Sequence, residues 1–138
     1  MRPLILIAAL FAAPASAETV FAAHTIRAQS ILTAQDIMIK DVDVPGAATR
    51  PEQIIGKESR VALYAGRPIR QGDVGPPAVV DRNQIVPLIF KSSGLTITAE
   101  GRALQRAGAG EYVRVMNLAS RNTVTGLVLA DGRVMVSQ

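Results

Sequence analysis

Ile26-Arg27-Ala28-Gln29-Ser30-Ile31-Leu32-Thr33-Ala34-Gln35-Asp36-Ile37 returns 37 residues later as Leu63-Tyr64-Ala65-Gly66-Arg67-Pro68-Ile69-Arg70-Gln71-Gly72-Asp73-Val74. Both copies follow the form apolar-x-Ala-x-x-x-apolar-x-x-x-Asp-apolar. A solenoid needs about three repeats. Two copies instead predict a pseudo-symmetric pair of loop–strand–turn units inside one lobe. Asp36 and Asp73 sit where a carboxylate caps the backbone of a tight turn.

Outward from the repeat, the chain reads as short strands between turn signals. Val20 to Ala22 and Ile37 to Val44 are strand candidates, the second edge-like. Thr33 to Asp36 and Thr49 to Glu52 resemble capping boxes. The second opens a two-turn helix over Pro51 to Ile55, with Gly56 as its C-terminal stop. Arg60 to Leu63 and Arg67 to Ile69 read as strands. Gly75-Pro76-Pro77 is the expected join between two lobes. Beyond it, Gln84 to Lys91 is a long strand that turns at Ser92-Ser93-Gly94. Leu95-Thr96-Ile97-Thr98-Ala99 alternates, which predicts one inward and one outward face. Tyr112 to Met116 is the next strand. Thr123 to Ala130 and Arg133 to Val136 form a hairpin around Asp131-Gly132, a preferred type I′ pair. The fold expected is mainly β, with short helical pieces.

The N-terminus carries a different signal. Arg2 precedes ten apolar residues, Leu4 to Ala13, and Ala15-Ser16-Ala17 is a small-x-small site. This is the pattern of a secretory signal peptide cut between Ala17 and Glu18. The run is about half the length a membrane span needs. Residues 1–17 are then an export signal, and the mature chain is 18–138. Loss of Arg2 lowers the formal charge from +4 to +3. No stable membrane insertion is expected after cleavage.

Composition narrows the chemistry. The 138 residues contain no cysteine, no tryptophan and one histidine. Disulfides, thiolate metal sites and cysteine nucleophiles are excluded. The mature aromatics are Phe21, Tyr64, Phe90 and Tyr112, too few for a nucleic-acid stacking surface. His24 has no inferable catalytic partners and reads as a turn or surface residue. Asp41 and Asp43 lack the oxygen-rich loop a hard cation needs and read as a solvated edge. Gly108-x-Gly110 lacks the following helix of a phosphate cradle. Neither cofactor, metal nor enzymatic activity is expected.

Two motifs point to a family. Ala65-Gly66-Arg67-Pro68-Ile69 with Gly72-Asp73-Val74 resembles the core of a SAF (antifreeze-like, β-clip) domain. The C-terminal string is Gly101-x-Ala103-Leu104-x3-Gly108-x-Gly110-Glu111-x-Val113-x-Val115-x-Asn117-x2-Ser120. It continues with Gly126-x-Val128 and Asp131-Gly132-x-Val134-x-Val136. Together with the export signal, the chain resembles the flagellar P-ring assembly chaperones of the FlgA family, from about Val20 to Val136. Gln29 departs from the Gly expected in the first repeat, and Glu111 from the more usual Asp. On this reading the chain is without the extra N-terminal domain of longer members.

The resemblance implies a SAF-type β-clip lobe over 18–77 and a small barrel-like β lobe over 78–138. It implies a non-enzymatic periplasmic chaperone that binds the P-ring subunit, with peptidoglycan as a further partner to weigh. A SAF-domain pilus assembly factor and a peptidoglycan- or carbohydrate-binding module are the alternatives. Gly66, Gly72, Gly108 and Gly110 are expected in turns with positive φ, and Gly126 at a bulge or close backbone approach. Asn117 and Ser120 are expected to bond local backbone. Twelve of the fifteen basic residues are Arg, and Arg60, Arg67 and Arg70 group locally. Arg is favoured at protein interfaces for its planar donors, which makes these three the candidate client contacts.

Overall fold

A computed structural model describes residues 17–137. The predicted export signal, apart from Ala17, lies outside the described residues; Ala17 and Glu18 are exposed and extend no strand. Among the described residues, helical structure is confined to three 3-10 turns, and everything else regular is β.

The N-terminal half is built on the repeat. Strand β1 (Thr19–Ala22) pairs antiparallel with β2 (Ile37–Lys40), and β3 (Glu58–Ser59) with β4 (Val74–Gly75). The two units hydrogen-bond each other reciprocally. Ile26 and Leu63, the first positions of the two copies, exchange both backbone bonds at 2.7 and 2.9 Å. The Gly66 N–H donates to Ala22 C=O, and the Gln29 N–H to Ser59 C=O. Leu32 donates to Lys57, and Ile69 to Val20. Each bond maps on its twin by the same 37-residue offset, so the repeat reaches back to β1 and β3, beyond the twelve aligned positions. Leu32 and Ile69, the seventh positions, are both fully buried, beside Val20, Ile54 and Val74. The two Asp caps close equivalent 3-10 turns. Asp36 accepts the Thr33 N–H at 2.7 Å, and Asp73 the Arg70 N–H at 3.3 Å.

Several expectations change here. Residues 60–63 and 67–69 form no strand; each range has a single isolated bridge, at Leu63 and at Pro68. Strand β2 ends at Lys40, not Val44. The two-turn helix is one 3-10 turn, Pro51–Gln53, capped by Gln53 rather than Glu52: its side-chain oxygen accepts the Thr49 and Arg50 N–H groups. Many backbone groups here bond across the two units, which leaves fewer of them for longer local elements.

In the C-terminal half, β5 (Ala78–Val80) pairs with β8 (Ala107–Gly108) beneath a five-stranded closed barrel. The barrel comprises β6 (Ile85–Ser92), β7 (Leu95–Ala103), β9 (Tyr112–Asn117), β10 (Thr123–Val128) and β11 (Val134–Val136). Its order is β10-β11-β6-β7-β9, with β6 and β11 parallel and the other pairs antiparallel. Val86, Leu88, Val113, Val115, Val128 and Val134 fill it, each fully buried. Gly101 and Gly126 make room for this packing. A Cβ on Gly101 would lie 2.4 Å from Val115, and one on Gly126 2.5 Å from Val134.

Two further corrections belong to this half. The ladder between β10 and β11 stops at Val128↔Val134, leaving a five-residue connection in place of a two-residue type I′ turn. Gly132 alone in it is left-handed, and Asp131 accepts the Arg133 N–H instead. The two-residue turn lies at Ser93-Gly94, both left-handed, between the pair Ser92↔Leu95. Gly108 lacks positive φ and serves close approach: a Cβ there would lie 2.8 Å from the carbonyl oxygens of Pro76 and Pro77. Gly72 likewise lacks positive φ and sits within a 3-10 turn.

Candidate functional site

The three candidate arginines separate. Arg67 and Arg70 share a groove of about 360 Å³ with Val61, Leu63, Tyr64 and Pro68. Tyr64 is 59% exposed there. Val61 is exposed beside it, so the groove presents two cations and the Asp73 carboxylate next to apolar and aromatic surface. That combination suits protein contact, because Arg donates in a plane while its neighbours desolvate the partner.

Arg60 turns elsewhere. Its guanidinium lies over Gly75, in space a Cβ would fill, and bonds the Glu111 carboxylate. Glu111 also accepts the Gly108 N–H at 2.8 Å. The pair joins the N-terminal half to the barrel half. A second junction, with no signal in the sequence, lies beside it. Arg106 bonds both oxygens of Glu58 at 2.8 and 3.0 Å, and also the Asp81 carboxylate. Glu58 further accepts the Ala78 N–H at 2.9 Å. The hydrogen bonds from Arg106, more than its charge at a distance, hold the Glu58 carboxyl below its ordinary range; partial burial opposes them and the Ala78 N–H reinforces them. These residues border a cleft of about 170 Å³ between the halves.

The remaining sequence candidates hold local structure. Asn117 accepts the Ala119 and Ser120 N–H groups at 2.9 and 3.2 Å, and Ser120 accepts the Asn122 N–H at 3.4 Å. His24 lies 2.9 Å from the Asp36 carboxylate at the first cap. The Asp36 carboxyl is lowered chiefly by the Thr33 hydroxyl, then by the Thr33 N–H, with His24 adding less. Among the described residues, no three His, Cys, Asp or Glu side chains group as a metal site would need. Nor is any helix among them long and apolar enough to cross a membrane.

A second surface sits at the barrel mouth. Phe90, Leu95, Ile97, Ala99 and Val136, with Lys91, Ser92 and Asn117, border a mainly apolar cleft of about 330 Å³. The alternation of Leu95 to Ala99 was expected to bury one face. Yet Leu95 is 61% and Ile97 52% exposed, because the hairpin projects past the barrel, where no strand covers it.

Comparison with known proteins follows the same fold. The flagellar protein FlgA of Rhizobium meliloti is 33% identical over 133 residues, which covers 94% of this chain and 78% of that protein. The flagella basal body P-ring formation protein FlgA of Yersinia enterocolitica is 29% identical, covering 83% of this chain and 53% of that one. The crystal structure of Salmonella FlgA in open form superposes with a TM-score of 0.69 at 26% identity, over 88% of this chain and 60% of that one. The chain thus spans only about half to three-quarters of the relatives it matches. Residues 17–136 match the model of the chaperones for flagella basal body P-ring formation, and the chain belongs to that family.

Proposed function

We propose that this chain is a periplasmic assembly chaperone that binds the P-ring subunit and delivers it to the growing ring. The observation that carries the reading is the family match over 17–136. In this reading 1–17 is the export signal, and 18–77 and 78–138 work as two lobes joined by the Arg106 and Arg60 bridges. The work is contact rather than catalysis. Arg67 and Arg70, with Tyr64, supply a charged contact to the client. Arg60 is set aside from that role, because its guanidinium is taken up by Glu111.

Deletion of the gene tests the reading. The expected result is loss of motility and isolated basal bodies that lack P rings, restored by the wild-type gene. The mature protein, starting at Glu18 by mass spectrometry of a periplasmic extract, should capture the purified P-ring subunit. Normal numbers of P rings in the deletion strain would overturn the proposal.

A further inference from the structure

The outer edge of β7 combines two features. The first is an unpaired backbone. The closing pair of the Ser93-Gly94 turn, Ser92↔Leu95, exchanges both ladder bonds, and bonded pairs then alternate along the hairpin. Leu95, Ile97, Ala99 and Gly101 therefore bond β6, while Thr96, Thr98 and Glu100 direct N–H and C=O away from it. The Glu100 carbonyl meets the Leu118 N–H at 2.9 Å. Strand β9 reaches only as far as Gly101↔Asn117. Thr96 and Thr98 thus present donors and acceptors with no strand alongside.

The second feature is the lack of guards. Natural edge strands are blunted by charge, proline or bulges. Strand β2 runs into Lys40 and Asp43, but Leu95 to Ala99 carries no charge and no proline. Its apolar side chains instead open onto the barrel mouth with Phe90 and Val136, where Lys91 of β6, opposite Thr96, supplies the charge.

We infer that the β7 edge at Thr96 and Thr98 receives an extended, uncharged segment of the P-ring subunit as an added strand, whose alternate apolar side chains enter the barrel mouth. The inference rests on the function proposed above and gives it a binding mode. Water satisfies such an edge in the free chain; an extended partner strand can replace that water with matched donors and acceptors, and alternate pockets on one face select its side chains. A second copy of this chain is the poorer occupant. The free edge is five residues, roughly 17 Å long, and symmetric pairing over that length buries far less than the ~1,200 Å² of a stable interface. A transient client needs no such area, and a short edge permits release into the ring.

Thr98→Pro removes an outward N–H without breaking the β6 ladder. Pro87 already occupies the equivalent outward-facing kind of position on β6, opposite Glu100. Ile97→Lys adds a second cation to Lys91 in the mouth, on the strand itself, and serves as the second variant should Thr98→Pro perturb folding. Each should weaken capture of the purified P-ring subunit by about tenfold or more, with circular dichroism and thermal unfolding close to wild type. Hydrogen exchange at Thr96 and Thr98 should slow when the subunit binds. Wild-type capture by both variants, or unchanged exchange at both amides, overturns the inference and leaves the chaperone reading standing. Self-association of the free chain that both variants abolish assigns the edge to a second copy and overturns it as well. A wild-type chain that fails to capture the subunit overturns both proposals.

Discussion

The two halves of the chain satisfy their backbones in opposite ways. In the N-terminal half the longest ladder is the four pairs of β1 and β2, and order comes from reciprocal bonds between the repeated units and from carboxylate caps. In the C-terminal half a single ladder, β6 with β7, runs for eight pairs, and the barrel closes on itself. Each half buries its own apolar cluster; the first adds many short backbone contacts to it, whereas the second adds long ladders that close around it. Substitution should therefore act differently in each.

The largest effect is expected in the barrel. Leu88 is fully buried and packs against Gly101, whose missing Cβ gives it space. Leu88→Ala should cost about 3 kcal/mol, transfer and cavity together. Denaturant unfolding should show the loss as a lower midpoint with an unchanged slope. A drop below about 1 kcal/mol would mean that the barrel collapses around the gap and that its core is less concentrated than the ladder implies.

The junction between the halves comes next. Glu58 is only 12% exposed and is bonded on both oxygens, whereas Arg60 is 43% exposed in its pair with Glu111. Arg106→Ala should cost about 2 kcal/mol, because it strands a partly buried carboxylate, and Arg60→Ala no more than about 1 kcal/mol, as for an exposed pair. The sign with pH follows from the lowered Glu58 carboxyl. Its contribution is complete above the ordinary glutamate range, near pH 4.3, and fades as pH falls through the lower folded value. Wild type and Arg106→Ala should thus differ most at neutral pH and converge in acid. Equal gaps at pH 7 and pH 3 in urea titrations would show that the bridge adds nothing through Glu58.

The sequence disclosed these features unevenly, for physical reasons. The repeat was legible because its apolar spacing and its Asp caps are local, and the structure extends it through bonds at the same offset. The strands at 85–92 and 112–117 were legible from composition and turn signals. Barrel closure was not, since the parallel pairing of β11 with β6 depends on contacts between distant segments that no local pattern encodes. The Asp131-Gly132 pair misled because the turn closes from the Leu129 C=O to the Gly132 N–H with Gly132 alone left-handed, one residue earlier than a type I′ turn centred on the pair. Leu95 and Ile97 share a face as the alternation predicts, but that face is exposed rather than inward, because β9 ends at Asn117 and the sequence carries no mark of that length. Arg60 was grouped with Arg67 and Arg70 by proximity in the chain, but Gly75 lets it fold across toward Glu111. The bridge of Glu58 to Arg106 joins residues 48 apart and left no local trace.

The smallest effect tests the symmetry of the N-terminal half. Gln29 and Gly66 occupy the same place in the two units, and both are left-handed, at φ 66° and 74°. A side chain at that φ costs about 1–2 kcal/mol, offset by about 0.5–1 kcal/mol because losing a glycine restricts the unfolded chain, so Gly66→Gln should destabilise by about 0.5–1 kcal/mol. The reverse change, Gln29→Gly, relieves the strain but gives the unfolded chain more freedom, which costs about 0.5–1 kcal/mol. The net gain should be about 0.5 kcal/mol, a rise of about 2 °C in Tm. Gln29 is exposed, and no side-chain contact to weigh against the change is found for it among the described hydrogen bonds. If Gln29→Gly lowered Tm while Gly66→Gln left it unchanged, the two turns would differ in energy despite their shared geometry. The pseudo-symmetry would then be one of hydrogen bonding alone, and the N-terminal half would owe its order to the bonds between the units rather than to the turns within them.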